Sequence, residues 1–122
     1  MNKKRKQKIY SRGIYAERLA GLWLQMKGYH IAARRFETRF GEIDIIARRG
    51  HVIAIVEVKA RPTLEEAMEA VKQQSRKRID KAANVFLARQ PDAKKLRLRY
   101  DLIAISPWKF PRHIESFFQP EN

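Results

Sequence analysis

The segment 41–61, GEIDIIARRGHVIAIVEVKAR, constrains the fold of this chain more than any other stretch. It contains two runs rich in isoleucine and valine, residues 42–47 and 52–60. The four residues between them are Arg-Arg-Gly-His, in which Gly50 supplies the conformational freedom that a tight turn needs. The segment therefore predicts a β-hairpin of two largely apolar strands.

Three charged residues of this hairpin are expected to share one face. Residues two apart on a strand point the same way, so Glu57 and Lys59 lie together. A turn symmetric about Arg49 and Gly50 places Asp44 one diagonal step from Glu57, on that same face. Any loop with an even number of residues keeps this outcome, whereas an odd loop or a bulge would undo it.

Two carboxylates and a lysine inside apolar strands suggest a metal-dependent hydrolytic site. Buried charges cost several kcal/mol unless they are paired or bind a metal. Mg²⁺ is the natural ligand, with Mn²⁺ as an alternative, because it binds one or two carboxylates and keeps places for water and phosphate oxygens. A neighbouring lysine can orient or deprotonate the attacking water, or stabilise charge on phosphorus. The competing explanation is a plain ion pair on a solvated sheet face.

The rest of the chain predicts an α/β sandwich around a mixed sheet. Residues 1–10 are expected to form a flexible basic arm and residues 11–122 a single domain. Apolar periodicity and turn residues predict the following elements: a helix over 12–27, a strand over 30–39, the hairpin, a long helical region over 64–89 with a break near 73–75, a strand over 96–105 and a short apolar segment over 114–118.

Charge points to a polyanionic partner. Lysine and arginine number 27 and aspartate and glutamate 13, which gives a formal charge of +14. Nucleic acid is the first candidate, with DNA preferred over RNA. The cations chosen as candidate nucleic-acid-binding residues are Arg35, Arg39, Arg61, Lys72 and Lys77. The absence of cysteine excludes disulfide scaffolds and zinc fingers. No apolar run is long enough to span a membrane, and we expect a cytoplasmic protein.

A third carboxylate comes from the first predicted helix. The helical neighbours of Glu17 are small or apolar, and none of the positions three or four residues away holds a lysine or arginine. Small neighbours allow this helix to approach another element closely. The sequence leaves open whether Glu17 joins the site or lies on a partly exposed stripe.

The chain resembles the YraN family, an uncharacterised bacterial group of the restriction-endonuclease-like PD-(D/E)XK superfamily, similar to archaeal Holliday-junction resolvases. The resemblance extends over about 13–117, and its motifs are Gly41-Glu42-Ile43-Asp44, Val56-Glu57-Val58-Lys59-Ala60-Arg61 and Arg99-Tyr100-Asp101, preceded by Ala16-Glu17 in the first helix. It implies a three-layer sandwich with a mixed central sheet flanked by helices. It also implies Asp44 and Glu57 as metal ligands, Lys59 as the catalytic lysine and Glu17 as the first-helix glutamate.

The resemblance differs at one position. Family members often carry a lysine where this chain has Ser75, and Lys72 or Lys77 are the alternatives for that cation. The expected function is a Mg²⁺-dependent endonuclease acting on DNA, with branched or otherwise structured DNA as the suggested substrate. The alternative is a non-catalytic nucleic-acid-binding module that keeps the nuclease fold as a partner of a repair or processing complex.

Aromatic side chains leave two further questions. Trp23 is expected in the core. The aromatic residues of the proline-rich tail are expected either to cap the core or to form a contact in a homodimer; they are Trp108, Phe110, Phe117 and Phe118.

Overall fold

The computed structural model describes residues 3–119, with side chains from Gly13 onward. Three α-helices, a short 3₁₀ turn and five strands follow one another along the chain. They are α1 (Lys3–Met26), β1 (His30–Thr38), β2 (Gly41–Arg49), β3 (Val52–Ala60), α2 (Leu64–Glu69), α3 (Gln73–Ala88), the 3₁₀ turn (Ala93–Lys95), β4 (Arg97–Ile105) and β5 (Arg112–Phe118).

The five strands form one mixed sheet in the order β1-β2-β3-β4-β5. Hairpins connect β1 to β2, β2 to β3 and β4 to β5, and these pairs are antiparallel. β3 and β4 run parallel, because α2 and α3 carry the chain across one face of the sheet between them. The candidate site residues on β2 and β3 therefore lie in the centre of the sheet.

Two hydrophobic layers cover the two faces of this sheet. On one face Ala20 and Leu24 of α1 pack against Ala54 and Val56 of β3, together with other small and branched residues. On the opposite face the residues of α3 that pack on the sheet are Ile79, Ala82, Ala83 and Phe86. The result confirms the predicted three-layer α/β sandwich with a mixed central sheet, the architecture of restriction-endonuclease-like proteins.

The first helix begins earlier than predicted, at residue 3 instead of residue 12. α1 begins at Lys3, although a flexible arm was predicted over 1–10. Lysine, arginine and glutamine are good helix formers, so this segment is helical without any apolar periodicity. Residues 1–2 lie outside the described part, and the mobility of the arm stays a prediction. Within the described residues, no helix has the length and apolar character needed to cross a membrane.

The predicted break in the second helical region is confirmed, a little earlier than expected. α2 ends at Glu69 and α3 begins at Gln73. The hydroxyl of Thr63 accepts a hydrogen bond from the backbone N–H of Glu66 and so caps the start of α2. The buried side chain of Val71 fixes the linker between the two helices to the core.

The β2–β3 hairpin has a different register from the predicted one. Arg49 pairs with Val52, so the turn is Gly50-His51 rather than Arg49-Gly50. Gly50 adopts a φ of 62°, a left-handed conformation that glycine accepts without strain. The loop still has an even number of residues, and the shift moves Asp44 from a diagonal position to the position directly opposite Glu57.

Candidate metal centre

Strands β2 and β3 stop pairing at the two acidic residues. Their ladder ends at the pair Ile45–Val56, while β2 continues to pair with β1 and β3 with β4. The next residues, Asp44 and Glu57, face each other across the opening between the separating strands. Oδ2 of Asp44 accepts a hydrogen bond from the backbone N–H of Val58 at 2.8 Å. A side chain thus replaces the missing ladder bond and fixes the position of this carboxylate.

A kink in β1 and β2 accompanies this opening. Arg35, which lies across from Asp44, has a φ of 48°, unusual for a residue with a side chain. Ile43 and Ile45 are two apart on β2 but pack in different hydrophobic layers, so the alternation of β2 reverses between them. Such irregularities redirect side chains, and this one lies at Asp44, the residue expected to bind a metal.

Glu57 is buried without full compensation. Its side chain is 9% exposed, and Oε1 has no hydrogen-bond partner. Burial, together with the nearby carboxylate of Asp44, raises the pKa of Glu57 to about 8, although the charge of Lys59 lowers it. Burial also raises the pKa of Asp44, although the Val58 N–H and Lys59 lower it. The three predicted residues therefore lie close enough together for their charges to act on one another.

Glu17 reaches the same region from α1 but is held by a cation. Arg35 Nε donates to Glu17 Oε2 at 2.9 Å, and both side chains are partly exposed. The negative charge of Glu17 is among the causes that raise the pKa of Asp44, which shows that the two carboxylates interact. No local pattern predicts the pair of Arg35 with Glu17, because Arg35 lies on β1 and not within a helical turn of Glu17.

The donor set fits a hard divalent cation that keeps several other ligands. Among the side chains from Gly13 to Gln119, no three histidine, aspartate or glutamate residues form a group able to hold a metal by themselves. Two converging carboxylates, one with an unpartnered oxygen, match Mg²⁺, which takes one or two carboxylates and completes its octahedron with water and phosphate oxygens.

The predicted nucleic-acid-binding cations are spread over several elements. Arg61 is exposed just after β3, and Lys72 and Lys77 are exposed at and within the first turns of α3. Arg39 is exposed in the β1–β2 turn, with its guanidinium 4.8 Å from the centre of the Phe40 ring. Arg35 contacts the carboxylate cluster directly, through its hydrogen bond to Glu17. Their role toward nucleic acid stays a prediction.

A second buried acid, Asp101, lies on the adjacent strand with a complete set of partners. It pairs with Val56 across β3 and β4, one residue from Glu57. Arg99 donates to both carboxylate oxygens of Asp101, and its Nη2 lies 2.7 Å from Oδ2. The backbone N–H of Ser116 donates to Oδ1 at 3.0 Å. His113 Nε2 lies 2.8 Å from Oδ2. Burial alone would raise the pKa of Asp101, but these donors lower it below its ordinary value.

The aromatic residues of the tail divide into two groups. Phe118 is buried against Tyr100, and Phe117 packs beside it, so these two cap the core, which is one of the two alternatives that the sequence left open. Trp108 and Phe110 do not cap the core, because both are exposed. Trp23, expected in the core, is instead half-buried, and its ring stacks on that of Phe110 at 6.0 Å between centroids.

Comparison with known proteins places these features in a family context. The family described as "Uncharacterised protein family UPF0102" matches residues 16–105. A UPF0102 protein of Bartonella tribocorum is 59% identical, covering 98% of this chain and 92% of that protein. One of Bartonella quintana is 55% identical over the full length of both chains, and one of Rhizobium meliloti is 51% identical over 93% of each. The matched range contains the four candidate residues of the metal centre.

Proposed function

Because the chain belongs to the uncharacterised protein family UPF0102, the YraN family predicted from its motifs, we propose a function from the site itself. The protein is a nucleic-acid-binding, Mg²⁺-dependent endonuclease that hydrolyses phosphodiester bonds in branched or otherwise structured DNA. Asp44 and Glu57 bind the metal, Lys59 acts on the reacting phosphate or water, and Glu17 completes the site.

One observation carries this proposal. Glu57 is buried beside Asp44, and its Oε1 has no partner among the described residues. An acid buried for stability alone is expected to have its oxygens satisfied, because an unsatisfied buried charged group costs at least 1–3 kcal/mol, about a tenth or more of a typical domain's stability. A divalent cation placed between the two carboxylates would satisfy this oxygen and remove the repulsion between them.

The residues of the chain divide the chemistry between them. When bound, the cation supplies Lewis acidity that lowers the pKa of water and offsets charge on phosphate oxygens. Asp44 is held by the Val58 N–H, so its carboxylate keeps its direction before metal or substrate binds. Lys59 is half-buried and lies close enough to both carboxylates for its charge to lower the pKa of each. Its ammonium group can therefore orient the attacking water or stabilise the charge on phosphorus.

The test is a cleavage assay on branched, flapped, single-stranded and duplex DNAs, with Mg²⁺, Mn²⁺ or EDTA. We expect cleavage with metal and none with EDTA. Asp44→Asn and Lys59→Ala should each lower the rate by at least about 100-fold, the usual range for loss of a positioned catalytic group. Asp92→Asn is the matched control, because this carboxylate pairs with Arg48 at 2.7 Å away from the site and should leave the rate unchanged.

DNA binding by the same variants separates catalysis from attachment. Binding is spread over many cations, so Asp44→Asn and Lys59→Ala should retain it, and added salt should weaken it steeply. If the wild type cleaves no DNA with either metal and calorimetry detects no Mg²⁺ binding, the enzymatic proposal is wrong. The protein would then be the non-catalytic nucleic-acid-binding module, with the same fold. RNA cleaved at the rate of DNA would refute the preference for DNA.

A further inference from the structure

A groove of about 650 Å³ lies between α1 and the segment that connects β4 to β5. Ala16, which precedes Glu17 on α1, forms part of its wall, as do Ala60 and Arg61, which follow Lys59 on β3. The opposite wall is the segment 107–111 between β4 and β5. The groove thus lies on the α1 face of the sheet, whereas Lys59 alternates with the α1-facing Val58, so the groove adjoins the candidate site along the chain without being part of it.

The lining of the groove combines aromatic rings with positive charge. Its apolar and aromatic members are Tyr15, Leu19, Ile105, Trp108 and Phe110, beside three prolines. Its charged members are Arg61 and Lys109, and no described acidic residue lines it. Interleaved rings and cations without carboxylates are typical of surfaces that bind single-stranded nucleic acid.

Trp108 is presented to solvent by a constrained backbone. It has a φ of 62°, a left-handed backbone conformation that residues other than glycine and asparagine rarely adopt. Its side chain is fully exposed, and Pro107 and Pro111 bracket the segment. A strained conformation that keeps an indole ring in water contributes nothing to the core, and such strain is concentrated at functional sites.

Phe110 supplies a second ring on the same side of the molecule. It is largely exposed, and the face that is covered stacks on Trp23 of α1. The ring is thus held in place from behind while another aromatic group can still contact it.

We propose that this groove binds unpaired nucleobases of the substrate, with Trp108 and Phe110 as stacking platforms and with Arg61 and Lys109 on the adjacent phosphates. This inference rests on the proposed nuclease function and specifies its substrate class: DNA that contains a single-stranded stretch. Each base presents a flat π face, so stacking on the two rings would hold the strand with little preference for sequence.

A second copy of the chain fits this surface less well than a polyanion does. A two-fold contact would bring the same patch of both copies together. Arg61 and Lys109 would then approach their own counterparts on chains that each carry a formal charge of +14. The charges of the groove complement phosphate and oppose self-association.

The experiment measures binding in EDTA, where cleavage cannot occur. The probes are a fluorescent oligothymidylate of about 10 nucleotides, within the site sizes of single-strand binding domains, and an abasic strand with the same number of phosphates. The wild type should bind the oligothymidylate at least about fivefold more tightly than the abasic strand. Trp108→Ala should remove this difference, whereas Trp108→Phe should retain most of it. Because Trp108 is fully exposed, neither change should affect folding.

Met68→Ala is the matched control, since Met68 is an exposed apolar residue outside the groove. Equal affinity for the two probes, or no effect of Trp108→Ala, overturns the inference. The inference is also overturned if Trp108→Ala alters the molar mass measured by light scattering but leaves the affinity for both probes unchanged. That result would identify Trp108 as part of a dimer contact. Base-dependent binding without cleavage by the wild type would instead refute the nuclease function and leave the stacking site standing.

Discussion

Two buried acids on neighbouring strands, Glu57 and Asp101, show opposite electrostatic states. Asp101 is 1% exposed and is surrounded by Arg99, His113 and the Ser116 N–H, which together lower its pKa. Glu57 is 9% exposed, has an unpartnered oxygen, and has its pKa raised to about 8. Similar burial therefore has opposite consequences, and the difference lies in whether the protein itself supplies the partners of the charge.

The two regions share one backbone device. Asp101 lies at a register shift in the β4–β5 pair, where Ser116, with a φ of 51°, turns its N–H toward the carboxylate. Asp44 lies where β2 and β3 separate, and it takes the N–H of Val58 in the same way. In both places an aspartate replaces a ladder hydrogen bond. At Asp101 the side chains of Arg99 and His113 occupy the remaining acceptor positions, whereas Oε1 of Glu57, beside Asp44, has no hydrogen-bond partner among the described residues.

The largest expected effect is on the satisfied cluster. Asp101→Asn removes the charge that holds Arg99 and His113, so we expect the free energy of unfolding to fall by about 3–5 kcal/mol, as for other buried pairs that lose one partner. Urea titration would measure it at pH 7. Asp92→Asn, which alters an ion pair at the surface, is the control. A variant as stable as the wild type would mean that Asp101 is not a structural charge.

The same kind of substitution at Glu57 should have the opposite sign. Glu57→Gln replaces a buried carboxyl that must ionise by an amide that stays neutral, and we expect the metal-free protein at pH 8 to gain about 1–3 kcal/mol, the worth of about one to two pKa units. Thermal unfolding in EDTA would measure this gain. Mg²⁺ should raise the midpoint of the wild type but not that of Glu57→Gln. Destabilisation in EDTA would contradict the contrast between the two clusters.

Sequence predicted one of these clusters better than the other, for a physical reason. Asp44, Glu57 and Lys59 lie within one hairpin, whose even loop sets Asp44 opposite Glu57 even with the register shifted. The reversal of alternation in β2 at Asp44 was not predictable from that pattern. The partners of Asp101 come from three separate elements, and the bulge that admits the Ser116 N–H depends on β5 pairing. Local patterns cannot supply such distant contacts.

Two other features of the candidate site also lay beyond local patterns. Arg35 meets Glu17 only because β1 packs beside α1, so its assignment to nucleic acid missed its contact with the carboxylate cluster. The exposure of Trp108 depends on a left-handed backbone conformation that nothing in a tryptophan predicts. By contrast, the order of helices and strands along the chain and the break between α2 and α3 followed from apolar runs and turn residues, since these features are local.

The two clusters should also respond oppositely to pH. The folded-state pKa of Glu57, about 8, lies above its ordinary value of 4.5. The stability that the protonated carboxyl contributes to the folded state is therefore fully present below pH 4.5 and is lost as pH rises through 8. The pKa of Asp101 is lowered, so the stability that its ionised carboxylate contributes to the folded state is present above about pH 4 and is lost on acidification. Between pH 5 and 8 the metal-free protein should lose at most about 1.4 kcal/mol per pH unit. Urea titrations across this range should show that Glu57→Gln removes the slope; an unchanged slope would assign it to other groups.

The smallest expected effect tests how redundant the satisfied cluster is. Arg99 donates to the hydroxyl of Tyr29 as well as to Asp101, and the Tyr29 ring is buried in the layer beneath α1. Tyr29→Phe keeps the ring and removes only this acceptor, so Arg99 retains both bonds to Asp101. We expect a loss of about 0.5–1.5 kcal/mol in the free energy of unfolding, the usual worth of one hydrogen bond. Urea titration beside Asp101→Asn would compare the two, with Tyr15→Phe at an exposed position as the control. A loss as large as that of Asp101→Asn would show that the hydroxyl, and not the carboxylate, is what holds Arg99 in place.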